Sequence, residues 1–408
     1  MKKHIVILNT LLIALTLLVG FSRCKKDSTT SFSLSSLKSG SIDMNGATSP
    51  SNIPVDPTII AIFTLDVKAS SVTAASMTLT RSYDGADIPL ILSVAGSSIN
   101  IVPAVNLGSG SLYKLSMKSA ITATDGQSLG ALDRTFTTVG TFVPDGMVAC
   151  YTFENTANDV LNHYNPKAGG VIDISYLPSF STAAGSAAKF NGTTTLIEIL
   201  KGDSLMLTSD FTLAFWMKTD STKHGQFVMG LAGWYGFQFE IGDDYSWCKL
   251  AAQYATGATT SASQDLYFNG KEKISDWKGY VFCKDLTNTG GVQFLLAAKW
   301  ANVVCRFTSA TKMATIYING DKMKEQDYNL YDPPLTQAEG LRYNGAAGNK
   351  QFVFGFIQDK TDPTITDDWA QYENPANKHF KGLLDNVRIF HKSLTEQEIL
   401  LMYNSEKP

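Results

Sequence analysis

Apolar and polar residues alternate in a series of short runs between residues 38 and 140. The runs are about five residues long and recur roughly every 8 to 15 residues, separated by Gly, Pro, Asp and Ser. Because successive side chains of a strand point to opposite faces of a sheet, each run predicts a half-buried strand. The runs are residues 59–63, 76–80, 88–92, 99–102, 113–117 and 134–137. Together they predict a small sandwich of two β-sheets without a helix.

From residue 145 to the C-terminus the pattern again favours strands, and three of the Asn-Gly pairs lie beside alternating runs. Both residues tolerate the positive φ that a two-residue turn needs, so each pair predicts a hairpin and therefore antiparallel sheets. The pairs are Asn191-Gly192, Asn269-Gly270 and Asn319-Gly320. One helix is predicted at the C-terminus, where Thr395 and Glu398 form a capping-box pattern ahead of the apolar residues Ile399 and Met402.

The N-terminus, residues 1–24, has the features of a bacterial secretory signal. Lys2 and Lys3 precede an uncharged apolar run, residues 5–21, which is short for a membrane-spanning helix. Cys24 then resembles the cysteine of a bacterial lipoprotein signal, although Arg23 replaces the small residue usual before it. The resemblance implies that Cys24 is lipidated and held by outer-membrane lipid, which places the protein in the cell envelope. An ordinary cleaved signal is the alternative.

The Ser- and Thr-rich residues 25–37 show no apolar period and predict a flexible tether. The whole chain has 408 residues, which suggests two or three domains at about 150 residues each. With 44% hydrophobic and 17% charged residues, the chain is not disordered as a whole. Its net charge of −3 argues against a nucleic-acid partner, because proteins that bind nucleic acids are usually basic.

Three segments of the first part of the chain have a recognisable pattern: residues 55–58 before the first strong strand, the turn at 105–110, and the closing residues 135–138. They resemble the bacterial Ig-like domains of exported proteins, and the resemblance covers residues 38–140. It implies a spacer that presents another domain and that has no catalytic residues. Residues 126–130 match the GxSxG pattern of nucleophilic serines, but that pattern requires a strand-to-helix turn, so a loop is the better interpretation.

The second part of the chain carries a longer series of motifs in order. They are residues 151–154, 189–192 with 197–198, 211–218, 316–320, and 382–390 with 394–395 and 398–399. These motifs resemble a laminin-G-like, concanavalin A-like lectin/glucanase domain over residues 145–408. The resemblance implies a jelly roll of two curved antiparallel sheets, whose inner faces take alternate apolar residues such as Leu213, Phe215 and Met217. The expected fold is all-β: an N-terminal Ig-like sandwich and a C-terminal concanavalin A-like jelly roll with one short C-terminal helix.

Two long connections depart from the family pattern, residues 255–299 and residues 358–379. Loops longer than about 12 to 15 residues in a compact domain are usually functional. Aromatic residues are concentrated in and just before the first connection: Trp234, Tyr235, Trp247, Tyr267, Trp277 and Tyr280. Because aromatic rings stack on the apolar faces of sugars, we expect some of these residues at a binding surface and the others in the core. The expected ligand-binding residues are Trp234, Tyr235, Trp247 and Trp277.

A glycoside hydrolase would need two carboxyl groups that flank the scissile bond. The nearest candidates in the sequence are Glu240, Asp243 and Asp244. Asp243 lies three positions from Glu240, so the two side chains would point to opposite faces if the strand continued. We therefore interpret these acids as the end of a strand and its turn.

Calcium is common in the fold that the second part resembles, and the resemblance points to Asp159 and Asp385 as ligands. The alternative is that Asp385 caps a turn or pairs with Arg388. Four cysteines of the exported part allow three disulfide pairings, but each lies in an apolar or aromatic segment, which favours buried thiols. They are Cys150, Cys248, Cys283 and Cys305.

The expected function is recognition of carbohydrate without catalysis, by a concanavalin A-like domain that an Ig-like spacer presents. The expected partner is a glycan or glycoconjugate, with calcium as the one cofactor that the resemblance suggests. Two alternatives stay open: a protein-binding adhesin or structural surface module, and a glycoside hydrolase whose carboxylates come from distant segments. The directions of Trp234, Trp247 and Trp277, and any convergence of carboxylates, distinguish these functions.

Overall fold

A computed structural model describes residues 30–271, 279–345 and 350–408. The chain divides into two compact units, the first built mainly from residues before 137 and the second mainly from the residues that follow. Both units consist of antiparallel β-sheets, as the alternating runs predict. Within the described residues no helix is long and apolar enough to cross a membrane.

The first unit is a β-sandwich, as predicted. Its strands are β1 (Leu34–Ser39), β2 (Ile42–Asp43), β3 (Ile59–Phe63), β4 (Met77–Arg81), β5 (Asp87–Ile88), β6 (Leu90–Ala95), β7 (Ser98–Pro103), β8 (Leu112–Met117) and β9 (Leu132–Thr137). One sheet has the order β2-β1-β3-β7-β6 and the other the order β5-β4-β8-β9. Alternate residues are buried, for example Ile59, Ala61 and Phe63 on β3. Ile60 and Ile62 lie between them and are exposed, although β3 is apolar throughout, so the pleat of the strand decides which of its apolar residues enter the core.

The first sheet begins earlier than predicted. Strand β1 starts at Leu34, inside the segment expected to be a tether, residues 25–37. Leu37 is fully buried and lies opposite Ala61 of β3. Serines and a lysine surround the two leucines of β1, and this polar background conceals a strand of which only alternate positions need be apolar. Residues 1–29, with the predicted signal and Cys24, lie outside the described residues.

The second unit is a larger β-sandwich. Its strands are β10 (Met147–Tyr151), β11 (Pro166–Ile172), β12 (Ser175–Pro178), β13 (Ser186–Asn191), β14 (Leu196–Ile199), β15 (Phe211–Thr219), β16 (Gln226–Leu231), β17 (Phe237–Ile241), β18 (Cys248–Ala255), β19 (Ser261–Phe268), β20 (Tyr280–Cys283), β21 (Trp300–Thr308), β22 (Met313–Ile318), β23 (Asp321–Asp327), β24 (Gly340–Leu341), β25 (Phe352–Phe354) and β26 (Lys381–Phe390). Sheet A has the order β12-β13-β26-β15-β21-β22-β23-β20, with β10 also paired to β26. Sheet B has the order β11-β14-β25-β16-β17-β18-β19, with β24 also paired to β18.

The main core lies between sheets A and B. Leu213, Phe215 and Met217 of β15 are fully buried in it, which confirms the predicted inner face. Phe215 of sheet A meets Phe239 of sheet B edge to face, with ring centroids 5.0 Å apart. Burial of each such side chain stabilises the fold by roughly 1.5–3 kcal/mol. The core thus fixes the two sheets as layers. On the outer face of sheet B, a second apolar cluster joins Phe227 and Val353 to Ile365 and Tyr372 of the connection 358–379.

The predicted C-terminal helix is confirmed and covers the outer face of sheet A. The helices of the described chain are α1 (Gly202–Met206), α2 (Gly291–Leu296) and α3 (Glu396–Glu406). Thr395 caps α3: its hydroxyl oxygen accepts the Glu398 N–H at 3.1 Å, and the Glu398 carboxylate accepts the Thr395 N–H at 2.9 Å. Ile399 and Met402 then pack on Tyr317 of sheet A. This is why β15 is buried on both faces, unlike a strand that faces solvent.

One of the three predicted hairpins is confirmed. Asn319 and Gly320 both have positive φ and join β22 to β23. The predicted hairpins at residues 191–192 and 269–270 are wrong, because the strands before and after each pair in the described chain lie in different sheets. Asn191 instead accepts the Thr193 N–H at 2.8 Å as the chain passes from sheet A to sheet B. An Asn-Gly pair sets the local backbone and not the identity of the next paired strand.

The four cysteines within the described residues are free thiols. Cys150, Cys248 and Cys305 are buried, and Cys283 is partly buried. Burial raises the pKa of Cys248 to about 12, so this thiol stays protonated and behaves as a small apolar side chain. The arrangement agrees with the expectation of buried thiols in apolar segments.

Candidate functional site

A short 3-10 turn, Gly233–Tyr235, links β16 to β17 and carries two of the expected binding residues. The turn is tight, since Ala232 and Gly233 both have positive φ. The Trp234 side chain is 52% exposed and that of Tyr235 is 40% exposed. The Trp234 carbonyl oxygen accepts a hydrogen bond from Gln253 Nε2 at 2.5 Å. The turn is thereby fixed to β18 while its indole ring faces solvent.

The outer face of sheet B next to this turn is polar. Phe239 of β17 and Leu250 of β18 point into the core. Their neighbours Glu240 and Lys249 therefore lie on the opposite face, since side chains alternate along a strand. On β19 the same alternation buries the Leu266 side chain. The side chains of Ser263, Asp265 and Tyr267 then form a row on the outer face.

One lysine on this face binds two carboxylates. Lys249 Nζ lies 2.8 Å from Glu240 Oε1 and 2.8 Å from Asp265 Oδ2. Glu240 is opposite Lys249 in the β17–β18 register, and Asp265 comes from β19. Acids from different strands thus converge, as the hydrolase alternative requires, but both bind the same ammonium group. Paired in this way, they orient hydrogen-bonding groups and do not form a free acid and base.

A second aromatic group lies further along the same face. The rings of Trp247 and Tyr267 have centroids 5.4 Å apart, and Lys249 Nζ lies 5.8 Å from the centre of the Trp247 ring. Gly242 permits this placement, because a Cβ atom there would come within 2.1 Å of the Trp247 ring. Burial raises the pKa of Tyr267 above its usual range, so its hydroxyl group stays protonated and can donate a hydrogen bond.

A groove of about 350 Å³ lies at the edge strand β19, where outer-face residues of this strand meet Gln264 from its other side and Tyr280 of β20 in sheet A. We call it the β19 groove, and its lining residues are Trp234, Ser263, Gln264, Asp265, Tyr267 and Tyr280. Burial raises the pKa of Tyr280 too, so a second phenol group stays protonated beside the groove. Aromatic rings, hydroxyl groups, an amide and one carboxylate thus line a single depression.

Buried polar atoms near Trp234 lack hydrogen-bond partners among the described residues. They are Gln238 Oε1, Gln253 Oε1 and Ser261 Oγ. Gln253 is 8% exposed and lies opposite Ser263 of the groove in the β18–β19 register. Leaving a buried acceptor unpaired costs about 1–3 kcal/mol. Gln238, Gln253 and Ser261 are not among the residues that line the β19 groove, so these atoms belong to the sheet beside it.

The structure adds one aromatic residue that the sequence analysis missed. Trp369 is 37% exposed and meets Trp234 edge to face, with ring centroids 6.4 Å apart. It lies in the second long connection, residues 358–379, whose length predicted a functional role without pointing to this residue. The signal that the sequence offered was the presence of a tryptophan inside this long connection.

Buried polar contacts fix the connection that carries Trp369. Gln358 Nε2 donates to the carbonyl oxygens of Ile365 and Ala370 at 2.8 and 2.7 Å. At its start, Lys167 Nζ lies 3.0 Å from Glu198 and 2.6 Å from Asp359. Burial raises the pKa of Glu198. For Asp359, burial acts in the same direction, but hydrogen bonds from Lys167 and Thr361 outweigh it and lower the pKa. The segment is thus tied to sheet B at β14.

The structure brings together part of the expected binding set. Trp234 lines the β19 groove, and Trp247 contacts it through Tyr267. Tyr235 is exposed on the same turn as Trp234 but is not among the lining residues. Trp277 lies outside the described residues, so its place in the site stays a prediction. The first long connection, expected to be a loop, contains β19, β20 and α2, because its alternating residues 261–268 add an edge strand to sheet B.

The two acids expected to bind calcium lie in different surroundings. Asp159 accepts four backbone N–H groups through its two oxygens, from Cys150, Leu161, His163 and Tyr164 at 2.8–3.1 Å. These bonds occupy its lone pairs and organise the loop after β10. Among the described residues no group of three or more His, Cys, Asp or Glu side chains is placed to hold a metal ion. Calcium binding at Asp159 and Asp385 therefore stays a prediction.

Asp385 is fully buried on β26. Its carboxyl group receives hydrogen bonds from the Ser179 hydroxyl and, at 2.6 Å, from the Asn386 N–H. Burial raises its pKa to about 8, so the group is mainly protonated at neutral pH. A protonated carboxyl group is a poor ligand for a divalent cation, and here it acts as a buried hydrogen-bonding group.

The other acids weighed as catalytic candidates form the turn after β17, as interpreted from their spacing. Asp243 Oδ1 accepts the Gly225 N–H at 2.7 Å, and Oδ2 lies 3.1 Å from Lys378 Nζ. The bond from Gly225 and the nearby lysine lower the pKa of Asp243. The lowered pKa is that of an ion-paired aspartate in a turn, whereas a glycosidase acid needs a raised pKa to donate its proton.

Comparison with known protein families agrees with this architecture. The family model of the bacterial Ig-like domain matches residues 42–138. The model of the concanavalin A-like lectin/glucanases superfamily matches residues 191–361. Among curated proteins, none matches the chain.

Several solved structures are similar to the chain at low sequence identity. The binding domain of Paraclostridial Mosquitocidal Protein 1 is 16% identical over 64% of this chain and 52% of its own, with a TM-score of 0.42. Domain 4 of a GH43 extracellular arabinanase from Geobacillus stearothermophilus, in complex with arabinotriose, is 18% identical over 63% of this chain and 98% of its own, with a TM-score of 0.38.

The receptor binding domain of botulinum neurotoxin type G is 13% identical over 64% of this chain and 51% of its own, with a TM-score of 0.38. The chain thus spans about half the length of the toxin domains that it matches. The two family matches lie in the two β-sandwich units in the predicted order. The chain therefore contains a bacterial Ig-like domain followed by a domain of the concanavalin A-like lectin/glucanases superfamily.

Proposed function

We propose that the concanavalin A-like domain binds carbohydrate at the β19 groove without catalysing a reaction. The half-exposed indole of Trp234 beside a polar groove is the observation that carries this proposal. A sugar ring needs a flat apolar surface edged by hydrogen-bonding groups, and this site offers both. Ser263, Gln264, Asp265 and Tyr267 supply the hydrogen-bonding groups that line the groove, and they suit a ligand rich in hydroxyl groups.

Binding without catalysis is supported by the ionic contacts of the site. A glycosidase needs one carboxyl group that can deliver a proton and a second that acts on the sugar. In the groove, Asp265 and its neighbour Glu240 are both bound to Lys249. Each carboxylate therefore contributes a fixed acceptor, which suits recognition of sugar hydroxyl groups.

We further propose that the protein presents this site from the cell envelope. The features of the N-terminal signal support lipid attachment at Cys24, with outer-membrane lipid as the anchor. The Ig-like domain carries no cluster of three or more metal-binding side chains in its described residues and fits a spacer that separates the binding domain from the anchor.

A glycan array tests the proposed binding site. Purified wild-type protein and the variants Trp234→Ala and Phe294→Ala are applied in calcium and again in EDTA, because calcium stays a prediction. Phe294 is a matched control, since it is 57% exposed and does not line the groove. We expect selective signals that fall at least about tenfold in W234A and persist in F294A, because aromatic anchors dominate such surfaces.

Each other outcome of the array has a definite meaning. Selective binding that W234A leaves intact places the carbohydrate site elsewhere on the molecule. An array without selective signals contradicts carbohydrate binding and favours the protein-binding adhesin, for which capture of a protein partner by the exposed Trp234 and Tyr235 is the next experiment.

A further inference from the structure

The β19 groove is long in the direction of its strand. Ser263, Asp265 and Tyr267 share the outer face of β19, and a strand rises about 13 Å from the first to the third of them. Trp234 stands at the Ser263 end, where its carbonyl group is bound by Gln253, the residue opposite Ser263. Aromatic groups therefore flank a polar floor at both ends, since Tyr267 marks the other.

A further aromatic ring continues the site beyond Trp234. Trp369 packs edge to face on Trp234, at an angle of 86° between ring planes, and its other neighbour is Phe227 of β16. The long connection that holds Trp369 is tied to sheet B by buried hydrogen bonds of Gln358. Tyr267, Trp234 and Trp369 thus form a series. Trp234 is its middle member, because it lines the groove and also contacts Trp369.

We infer that the β19 groove binds a neutral linear oligosaccharide, with several linked sugar residues lying along β19 from Tyr267 past Trp234 to Trp369. A single sugar ring covers one aromatic face and would leave the remaining rings and the polar row between them unused. This inference rests on the proposed function, and it adds the length and charge of the ligand.

The charge of the groove determines which oligosaccharides fit. Asp265 is the charged residue among the described residues that line it, and its side chain is 41% exposed. Lys249 binds both Asp265 and Glu240, so two carboxylates share one ammonium group and these three side chains keep an excess of negative charge. A chain with a carboxylate or sulfate group on each sugar would bring like charges against this aspartate. The groove therefore selects neutral chains over acidic ones.

Titration calorimetry of the purified protein with oligosaccharide ladders tests the inference. The probes are cello-, manno-, xylo- and arabino-oligosaccharides of one to six residues, with oligogalacturonides as the acidic series. For at least one neutral ladder we expect affinity to rise about tenfold or more from the disaccharide to the tetrasaccharide and then to level off. The oligogalacturonides are expected to bind at least about tenfold more weakly than neutral chains of equal length.

Variants assign the gain in affinity to the aromatic series. In Trp369→Ala we expect the ratio of hexasaccharide to disaccharide affinity to fall about fivefold, and Phe294→Ala should keep the wild-type ratio. Equal thermal unfolding temperatures of W369A and wild type show that the fold is intact. If W369A unfolds early, Trp369→Phe replaces it, because phenylalanine keeps a smaller ring in the same pocket.

The possible failures are distinguishable. A monosaccharide that binds as tightly as its hexasaccharide overturns the inferred length while the proposed function stands. Oligogalacturonides that bind more tightly than neutral chains overturn the inferred charge. Absence of binding by every ladder and by the glycan array contradicts the proposed function and the inference together.

Discussion

Asp385 illustrates how burial controls a single ionisable residue in this fold. It lies on β26 with no exposed surface, and its two hydrogen-bond partners, Ser179 and Asn386, leave its carboxyl group without a nearby cation. Burial is the main reason that its pKa rises to about 8, and the nearby Glu154 and Glu406 add to the effect. The folded protein therefore holds a proton that an unfolded chain, with an ordinary aspartate, releases near pH 4.

This difference predicts how stability depends on pH. Between about pH 4 and pH 8 the folded state binds more protons at Asp385 than the unfolded state does, so its contribution to stability falls as pH rises. Asp385→Asn removes the titration but keeps an acceptor and a donor. We expect this variant to melt at least about 3 °C above wild type at pH 8 and close to wild type at pH 4.

Thermal unfolding followed by circular dichroism from pH 4 to pH 9 measures this effect. Asp243→Asn serves as a control, because the pKa of that turn aspartate is lowered and its removal should not stabilise the protein at pH 8. A D385N variant that melts below wild type at every pH shows that the carboxyl group is not an electrostatic cost to the fold.

At the scale of a secondary-structure element, helix α3 shows how a local motif supports long-range packing. The reciprocal bonds between Thr395 and Glu398 begin the helix, and Ile399 and Met402 then cover the outer face of sheet A. Glu398 is also bound by Lys392 at 2.6 Å, so the cap is joined to the chain that leaves β26. The cap thus sets where the helix begins and which face it buries.

Removal of the cap predicts a measurable loss of stability. Thr395→Ala deletes the oxygen that accepts the Glu398 N–H, and such a loss typically costs about 1 kcal/mol. We expect a lower urea midpoint with an unchanged slope. Thr395→Ser is the matched control, because it retains the hydroxyl group. Equal losses in T395A and T395S would attribute the effect to the missing methyl group and not to the cap.

The elements also show what could be predicted from the sequence and what could not. The apolar runs of β3 and β15, the cap of α3 and the turn at Asn319 are local signals, and each predicted its element correctly. Asn191 and Asn269 predicted hairpins wrongly, because the choice of the next paired strand depends on the whole sandwich. Local signals determine backbone shape and leave sheet membership open.

The same limit applies to the candidate site. Composition pointed to Trp234 because aromatic residues are concentrated near it, and the structure places that residue in the β19 groove. Trp369 was missed because 135 positions of sequence separate it from Trp234, although the rings lie 6.4 Å apart. The carboxylates that share Lys249 were not recognised as a pair either, since they come from β17 and β19, which lie on either side of β18. These parts of the site are formed by contacts between segments that are distant in the sequence, so the sequence alone did not predict them.

At the scale of the whole molecule, the order of parts suggests how the binding site is used. The predicted signal, residues 1–24, precedes an Ig-like domain and then a concanavalin A-like domain. Each domain has its own buried residues, such as Ile59 and Phe63 in the first and Leu213 and Phe215 in the second. If the chain is anchored at its N-terminus, the β19 groove lies in the domain furthest along the chain from the lipid.

For a chain with this order of domains, we predict that the lipid is attached to Cys24 and to no other cysteine. Acyl chains contribute about 0.8 kcal/mol per buried CH₂ group, so the several chains of a lipoprotein hold it stably in a membrane. In bacteria fed an alkyne fatty acid, we expect wild type and Cys283→Ser to be labelled and Cys24→Ser to remain unlabelled. Mass spectrometry of the N-terminal peptide should show the lipid on Cys24. An unlabelled wild-type protein with an unmodified N-terminal peptide would instead indicate an ordinary cleaved signal and a carbohydrate-binding protein that is released from the membrane.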